Sequence, residues 1–136
     1  MSNMYKFNKK CSILVTRADN MLKINMEFSK GILWIRLDGI LNKTTSNTFD
    51  DEVIPVILKH GIKYVVVNLD KVNVIDLKGI ESLISLNEVV RSMNGKTTLC
   101  SLSNREVKNI LNKSEYNNTF YETSNELTAL GVMKIW

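Results

Sequence analysis

A chain of 136 residues with 44% hydrophobic and 24% charged side chains suffices for one domain around one real core. Its formal charge of +4 is spread over scattered lysines rather than a basic stripe, which argues against nucleic acid as a partner. No apolar run reaches the roughly 18–20 residues that a membrane span needs, so no transmembrane segment is expected.

Residues 1–20 read as an N-terminal extension, and residues 21–136 as the domain proper. Lys6, Lys9, Lys10 and Arg17 stand against Asp19 alone in the extension. Its "CSILVT" either adds an edge strand or belongs to a flexible basic arm. A long apolar stretch followed by small residues is missing, so no secretory signal is expected. "MLKINMEF", 21–28, alternates weakly, and "ILWIRLDG", 32–39, alternates clearly. Ser29-Lys30-Gly31 between them predicts a hairpin. "LNKTTSNTF" supplies turn and capping residues for a helix over Ser46–His60. Phe49, Val53, Ile54, Ile57 and Leu58 share one face at helical spacing. Pro55 removes a hydrogen bond and predicts a kink or a late helix start. Gly61 fits a left-handed stop.

"KYVVVNL", 63–69, is β-branched with little alternation, the mark of a strand covered on both faces. A short extended segment, 72–75, precedes a helix to about Met93. Ile80, Leu83, Ile84, Leu86, Val90 and Met93 give that helix an apolar side. Lys78, Glu81, Ser82, Ser85, Glu88 and Ser92 give it a polar one. "TTLCSL", 97–102, is another buried strand. Ser103 or Asn104 caps a short helix carrying Val107, Ile110 and Leu111. "NNTFYET" is a short extended piece, and "SNELTALGV" a last helix with Glu126 near its positive end. The order β-β-α-β-α-β-α-(β)-α predicts an α/β fold. Helices pack on a mixed sheet of four to five strands, the later ones parallel because such crossovers keep one hand.

That order and several phrases resemble the STAS domain, the sulphate-transporter and anti-sigma-factor-antagonist family of bacteria. "IRLDGILN" resembles the family's second strand with its Gly-x-Leu-Asp/Asn turn. "VVVNLDKVNVID" followed two residues later by "GI" resembles its central strand and the Asp-Ser-x-Gly-Leu/Ile turn opening its second helix. "GKTTLCSLSNREVKNIL" resembles a further strand and helix of the family. The likeness spans about residues 21–130. It implies a small cytoplasmic domain that acts by binding other proteins. Single-domain members typically bind an anti-sigma factor that is also a serine kinase, and so free the sigma factor.

One position departs from that pattern. The family usually has a phosphate-accepting Ser or Thr after the turn Asp, where this chain has Leu77. The usual switch adds roughly −1.5 to −2 charges at a helix N-terminus, and leucine cannot carry it. Asp76 still fits an N-cap, and Gly79 still permits close backbone approach. Leu77 either folds onto the sheet edge or stands exposed as an apolar contact. The corner and the polar helix side, Asp76, Leu77, Lys78, Gly79, Glu81, Ser82 and Ser85, form the candidate partner-binding set. Ser82 and Ser85 are the remaining candidate phosphate acceptors, although exposed helix serines are usually unmodified.

Other residues have plainer explanations. His60, the one histidine, suits a helix C-terminus as a cation. Asp50, Asp51 and Glu52 read as a solvated helix face rather than a metal site. Cys11 and Cys100 lie far apart and read as reduced thiols. One histidine and six glycines assemble no catalytic set or phosphate loop. No catalytic residue, metal or cofactor is therefore expected. The main reading is a non-enzymatic, cytoplasmic regulator that binds a kinase-like anti-sigma partner without phosphate at residue 77. The alternative is a constitutive scaffold or accessory subunit of a transport, motility or stress complex. A small-molecule or lipid binder is a third class.

Overall fold

Lys30 and Gly31 both take left-handed backbone, at φ 58° and 78°. This is the two-residue turn whose twist matches that of flanking antiparallel strands. It sets Ser29 opposite Ile32 and so fixes the register of the whole hairpin. The structure is a computed structural model and describes residues 10–15, 21–114 and 119–133. Its strands are β1 (Lys10–Val15), β2 (Leu22–Ser29), β3 (Ile32–Leu41), β4 (Tyr64–Ile75), β5 (Lys96–Cys100) and β6 (Tyr121–Thr123). Its helices are α1 (Ser46–His60), α2 (Leu77–Ser92), α3 (Arg105–Lys113) and α4 (Glu126–Met133).

The strands form one six-stranded sheet in chain order. β1, β2 and β3 are antiparallel neighbours, while β3 to β6 run parallel. This is the mixed α/β architecture read from the sequence, with β1 and β6 as its edges. Helices α1, α2 and α3 cover one face. There Leu22, Ile24, Met26, Leu33, Ile35, Val65, Val67 and Leu99 meet Phe49, Val53, Ile57, Ile80, Leu83 and Val107. On the other face Ile32, Trp34, Val66 and Cys100 meet Ala129 and Met133 of α4. Strand β4 is thus buried on both sides, which explains its unbroken run of valines.

Three local expectations are corrected. Helix α1 runs from Ser46 through Pro55 without a late start. It buries Phe49, Val53, Val56 and Ile57, so Ile54 and Leu58 lie off the core face. The segments 63–69 and 72–75 are not separate: from Tyr64 on both belong to β4, whose pairing with β3 shifts register twice. The extra residues bulge out. Asn68 Oδ1 accepts the Asp70 N–H at 2.8 Å, which satisfies a donor that the ladder would have taken. Gly61 closes α1 at φ 62°, as its position predicts.

Candidate partner-binding corner

The corner lies beyond the carboxyl ends of β3 and β4. Asp76 has extended backbone and caps α2: its Oδ1 accepts the Gly79 N–H at 2.9 Å. Its Oδ2 accepts the Lys43 N–H at 3.0 Å, from the loop between β3 and α1. Its own N–H donates to Leu41 O at 3.3 Å. One carboxylate therefore fixes the start of α2 and the neighbouring loop together. That loop is also ordered from within, by Asn42 Oδ1 accepting the Thr44 N–H at 2.9 Å and by the Thr45 hydroxyl donating to Ile40 O at 2.8 Å.

The candidate residues divide into exposed and buried groups. Leu77 is 59% exposed, so the folded-down alternative does not hold. Val74, three residues earlier, is 45% exposed. Lys78 is exposed and pairs with the half-buried Glu81 at 3.6 Å. Ser85 is half-buried. Gly79 is buried, and a side chain there would collide with Leu41 O. Its close approach is therefore to the protein's own β3 rather than to a partner.

Ser82 is corrected. It is 3% exposed, lies between α1 and α2, and its hydroxyl donates to Ser46 O at 3.4 Å. A small polar residue at this point lets the two helices approach. That removes Ser82 from the accessible surface and from the open phosphate acceptors. The Asp50 carboxyl lies beside it. Burial pushes the Asp50 pKa up, the Ser82 hydroxyl opposes this, and Asp51 adds to it. Asp50 is thus only in part the solvated acid expected from the sequence.

Lys43 and Thr44 are exposed corner residues that the sequence reading missed. Nothing local marks them, because their link to the corner runs through Asp76, far along the chain.

A second polar cluster lies on the opposite face of the sheet. Arg36 on β3 holds Glu126 of α4 through two bonds, Nε to Oε2 at 2.8 Å and Nη2 to Oε1 at 2.9 Å. Its Nη1 reaches Glu27 Oε1 at 2.8 Å, and Asn68 Nδ2 donates to Glu126 Oε2 at 2.8 Å. These bonds hold the Glu126 carboxyl below the usual range against the opposing effect of burial, and they raise the Arg36 pKa. Burial pushes the nearby Cys100 thiol up to about 11, so it is not a reactive thiolate.

A shallow polar groove lies at the ends of β5 and β6, lined by Asp70, Ser103, Lys108, Glu122, Thr123 and Ser124. Among the described residues no group of His, Cys, Asp and Glu is arranged to hold a metal. No described helix is long and apolar enough to cross a membrane.

The family model described as STAS domain matches residues 23–128. Among solved structures, a candidate anti-sigma factor antagonist of Thermotoga maritima is 16% identical with a TM-score of 0.76, covering 82% of this chain and 94% of that one. An anti-sigma factor antagonist of Mycobacterium paratuberculosis is 14% identical with a TM-score of 0.72, covering 86% and 97%. The Bacillus cell fate determinant SpoIIAA in its phosphorylated form is 15% identical with a TM-score of 0.62, covering 80% and 98%. At these identities the likeness is one of fold.

Proposed function

The chain belongs to the STAS domain family, and on that premise we propose that it is a non-enzymatic, cytoplasmic protein-binding regulator resembling the anti-sigma factor antagonists. It binds its partner without phosphate at residue 77. The observation that carries this reading is Leu77 itself, 59% exposed directly after the Asp76 cap. An exposed leucine costs apolar hydration in the free protein, and a partner that covers it recovers that cost. Lys43, Lys78, Glu81 and Ser85 form the polar rim of the same surface, the usual anatomy of an interface anchor.

A constitutive scaffold or accessory subunit is the second reading, and the missing hydroxyl favours it. Such a protein would need no release signal at the corner. The two readings separate in one experiment. The purified protein is presented to a kinase-type anti-sigma factor, with and without ATP, and binding is followed by calorimetry. Binding unchanged by ATP and lost in Leu77→Glu supports the regulator. Absence of binding to any such kinase, with stable capture into a transport or motility complex, supports the scaffold.

A further inference from the structure

The sheet divides the interior into two cores of unequal size. The larger lies between the sheet and α1, α2 and α3. Among the described residues the smaller is completed by α4, through Ala129 and Met133 on Ile32, Trp34, Val66 and Cys100. Loss of α4 leaves the larger core intact, because the sheet stands between them.

Helix α4 is capped at its start, where Asn125 Oδ1 accepts the Thr128 N–H at 2.8 Å, but it is short. It is eight residues long, below the length at which isolated helices persist in water. Gly131 lies within it with open space where a side chain would be, and glycine weakens a helix interior. Leu127 points outward, 78% exposed. Beneath α4, the Thr98 hydroxyl is fully buried with no hydrogen-bond partner, so its seat is imperfectly satisfied. The chain reaches α4 from the three-residue edge strand β6 through Ser124 and Asn125. Besides the apolar seat of Ala129 and Met133, polar contacts fasten it among the described residues: the two-bond Arg36–Glu126 pair with Asn68 at one end, and Lys96 Nζ donating to Val132 O at 3.4 Å at the other.

We propose that α4 is a hinged strap, latched to the sheet by Arg36 and Glu126, which lifts as a unit and bares Trp34, Val66 and Cys100 while the rest stays folded. The latch, rather than the apolar contacts, sets how often the strap is open. Such sub-global opening belongs to elements with few buried contacts. This device lies on the face of the sheet opposite α2 and is independent of the corner reading.

Cys100 reports on the strap directly. In Cys11→Ser protein it is the remaining thiol, and its reaction with Ellman's reagent is followed in the absence of urea and at sub-denaturing urea. The expected result is a labelling rate nearly independent of urea and faster than global unfolding allows. Glu126→Gln should raise that rate about tenfold or more, a change of about 1.4 kcal/mol in opening, and lower global stability by no more than that amount, while labelling stays nearly independent of urea. Amide exchange on the unsubstituted chain gives a second measurement. Amides of α4 should exchange faster than those of Ile35 and Val67 on the central strands. The proposal is overturned if Cys100 labelling has the full urea slope of global unfolding. It is equally overturned if Glu126→Gln leaves the labelling rate unchanged, or if α4 amides exchange with those of the central strands.

Discussion

The carboxylate of Asp76 joins Gly79 and Lys43 across two elements, accepting their backbone N–H groups at 2.9 and 3.0 Å. Replacing it with alanine removes a helix cap and hands the exposed Lys43 amide to water. Asp76→Ala should therefore cost about 0.5–2 kcal/mol, most of it from the cap. Asp76→Asn keeps one acceptor oxygen and should lose less. Thermal unfolding of the two variants checks the order. Equal melting temperatures for both variants would mean that only one of the two bonds matters.

The elements whose signals are local were legible. Helix α1 spans Ser46–His60 as read and ends at a left-handed Gly61, although the expected side-chain cap at its start is not made: Thr45 caps nothing, and its hydroxyl donates to Ile40 O. What escaped depended on distant partners. Asp70 and Lys71 look like a break, but a bulge lets one strand run through them by pairing with β3. Ser82 looks like a solvent residue because a helical pattern shows one apolar side. In the fold α2 has two neighbours, the sheet and α1, and Ser82 faces the second. Glu126 was read as favourable at a helix start, and that local reason holds. Its partner Arg36 is ninety positions away, and no spacing in the sequence reveals it.

Phosphate should not be accepted at the corner. Leu77 has no hydroxyl, and Ser82 is too buried to enter a kinase site. Incubation with a kinase of the anti-sigma type and ATP, followed by peptide mapping, should find no stoichiometric label at either. Full labelling at Ser85, which is half-buried, would show that the acceptor had moved along α2.

The Arg36–Glu126 pair predicts an acid limb. The Glu126 pKa is lowered from 4.5 in the fold, so its contribution is fully present above that value. It is lost as pH falls through the depressed folded value. Asp50 has the opposite sign: its pKa is raised from 3.8, so its charged form is disfavoured and Asp50→Asn should stabilise at neutral pH. The Glu126 carboxylate is 28% exposed, so solvent screening reduces the size of the effect. Stability measured against pH should decline less steeply below 4.5 in Glu126→Gln than in the unsubstituted protein. Parallel acid limbs would show that the pair adds nothing to the folded state.

A chain beginning at Asn20 should still fold. The family match starts at residue 23, and Leu22, Ile24 and Met26 of β2 are buried against α1–α3 on the face of the sheet rather than at its edge. Strand β1 pairs with β2 from Lys10 to Val15, so removal frees the backbone groups of one sheet edge. Cooperative unfolding within a few degrees of the full chain is the expected result, the shift for about 1 kcal/mol in a domain of this size. Non-cooperative melting would make β1 an obligatory part of the sheet.

The decisive substitution is Leu77→Glu, because it separates fold from binding. The side chain is 59% exposed at the first position of α2, so little packing is lost. A negative charge at the positive end of a helix is neutral to slightly favourable, by a few tenths of a kcal/mol. Nearby Lys43 and Lys78 are exposed and do not oppose it. Beneath a partner the balance reverses. The apolar anchor is gone, and a carboxylate must leave water without an opposite charge built to receive it. A loss of roughly 2 kcal/mol, about thirtyfold in affinity, is expected. The measurement pairs thermal unfolding of the variant with titration against the partner that the unsubstituted protein retains. A normal melting curve with weakened binding places Leu77 in the interface. A lowered melting temperature accompanying the loss would show that Leu77 contributes to the fold. Normal melting with undiminished affinity would move the contact surface away from the corner.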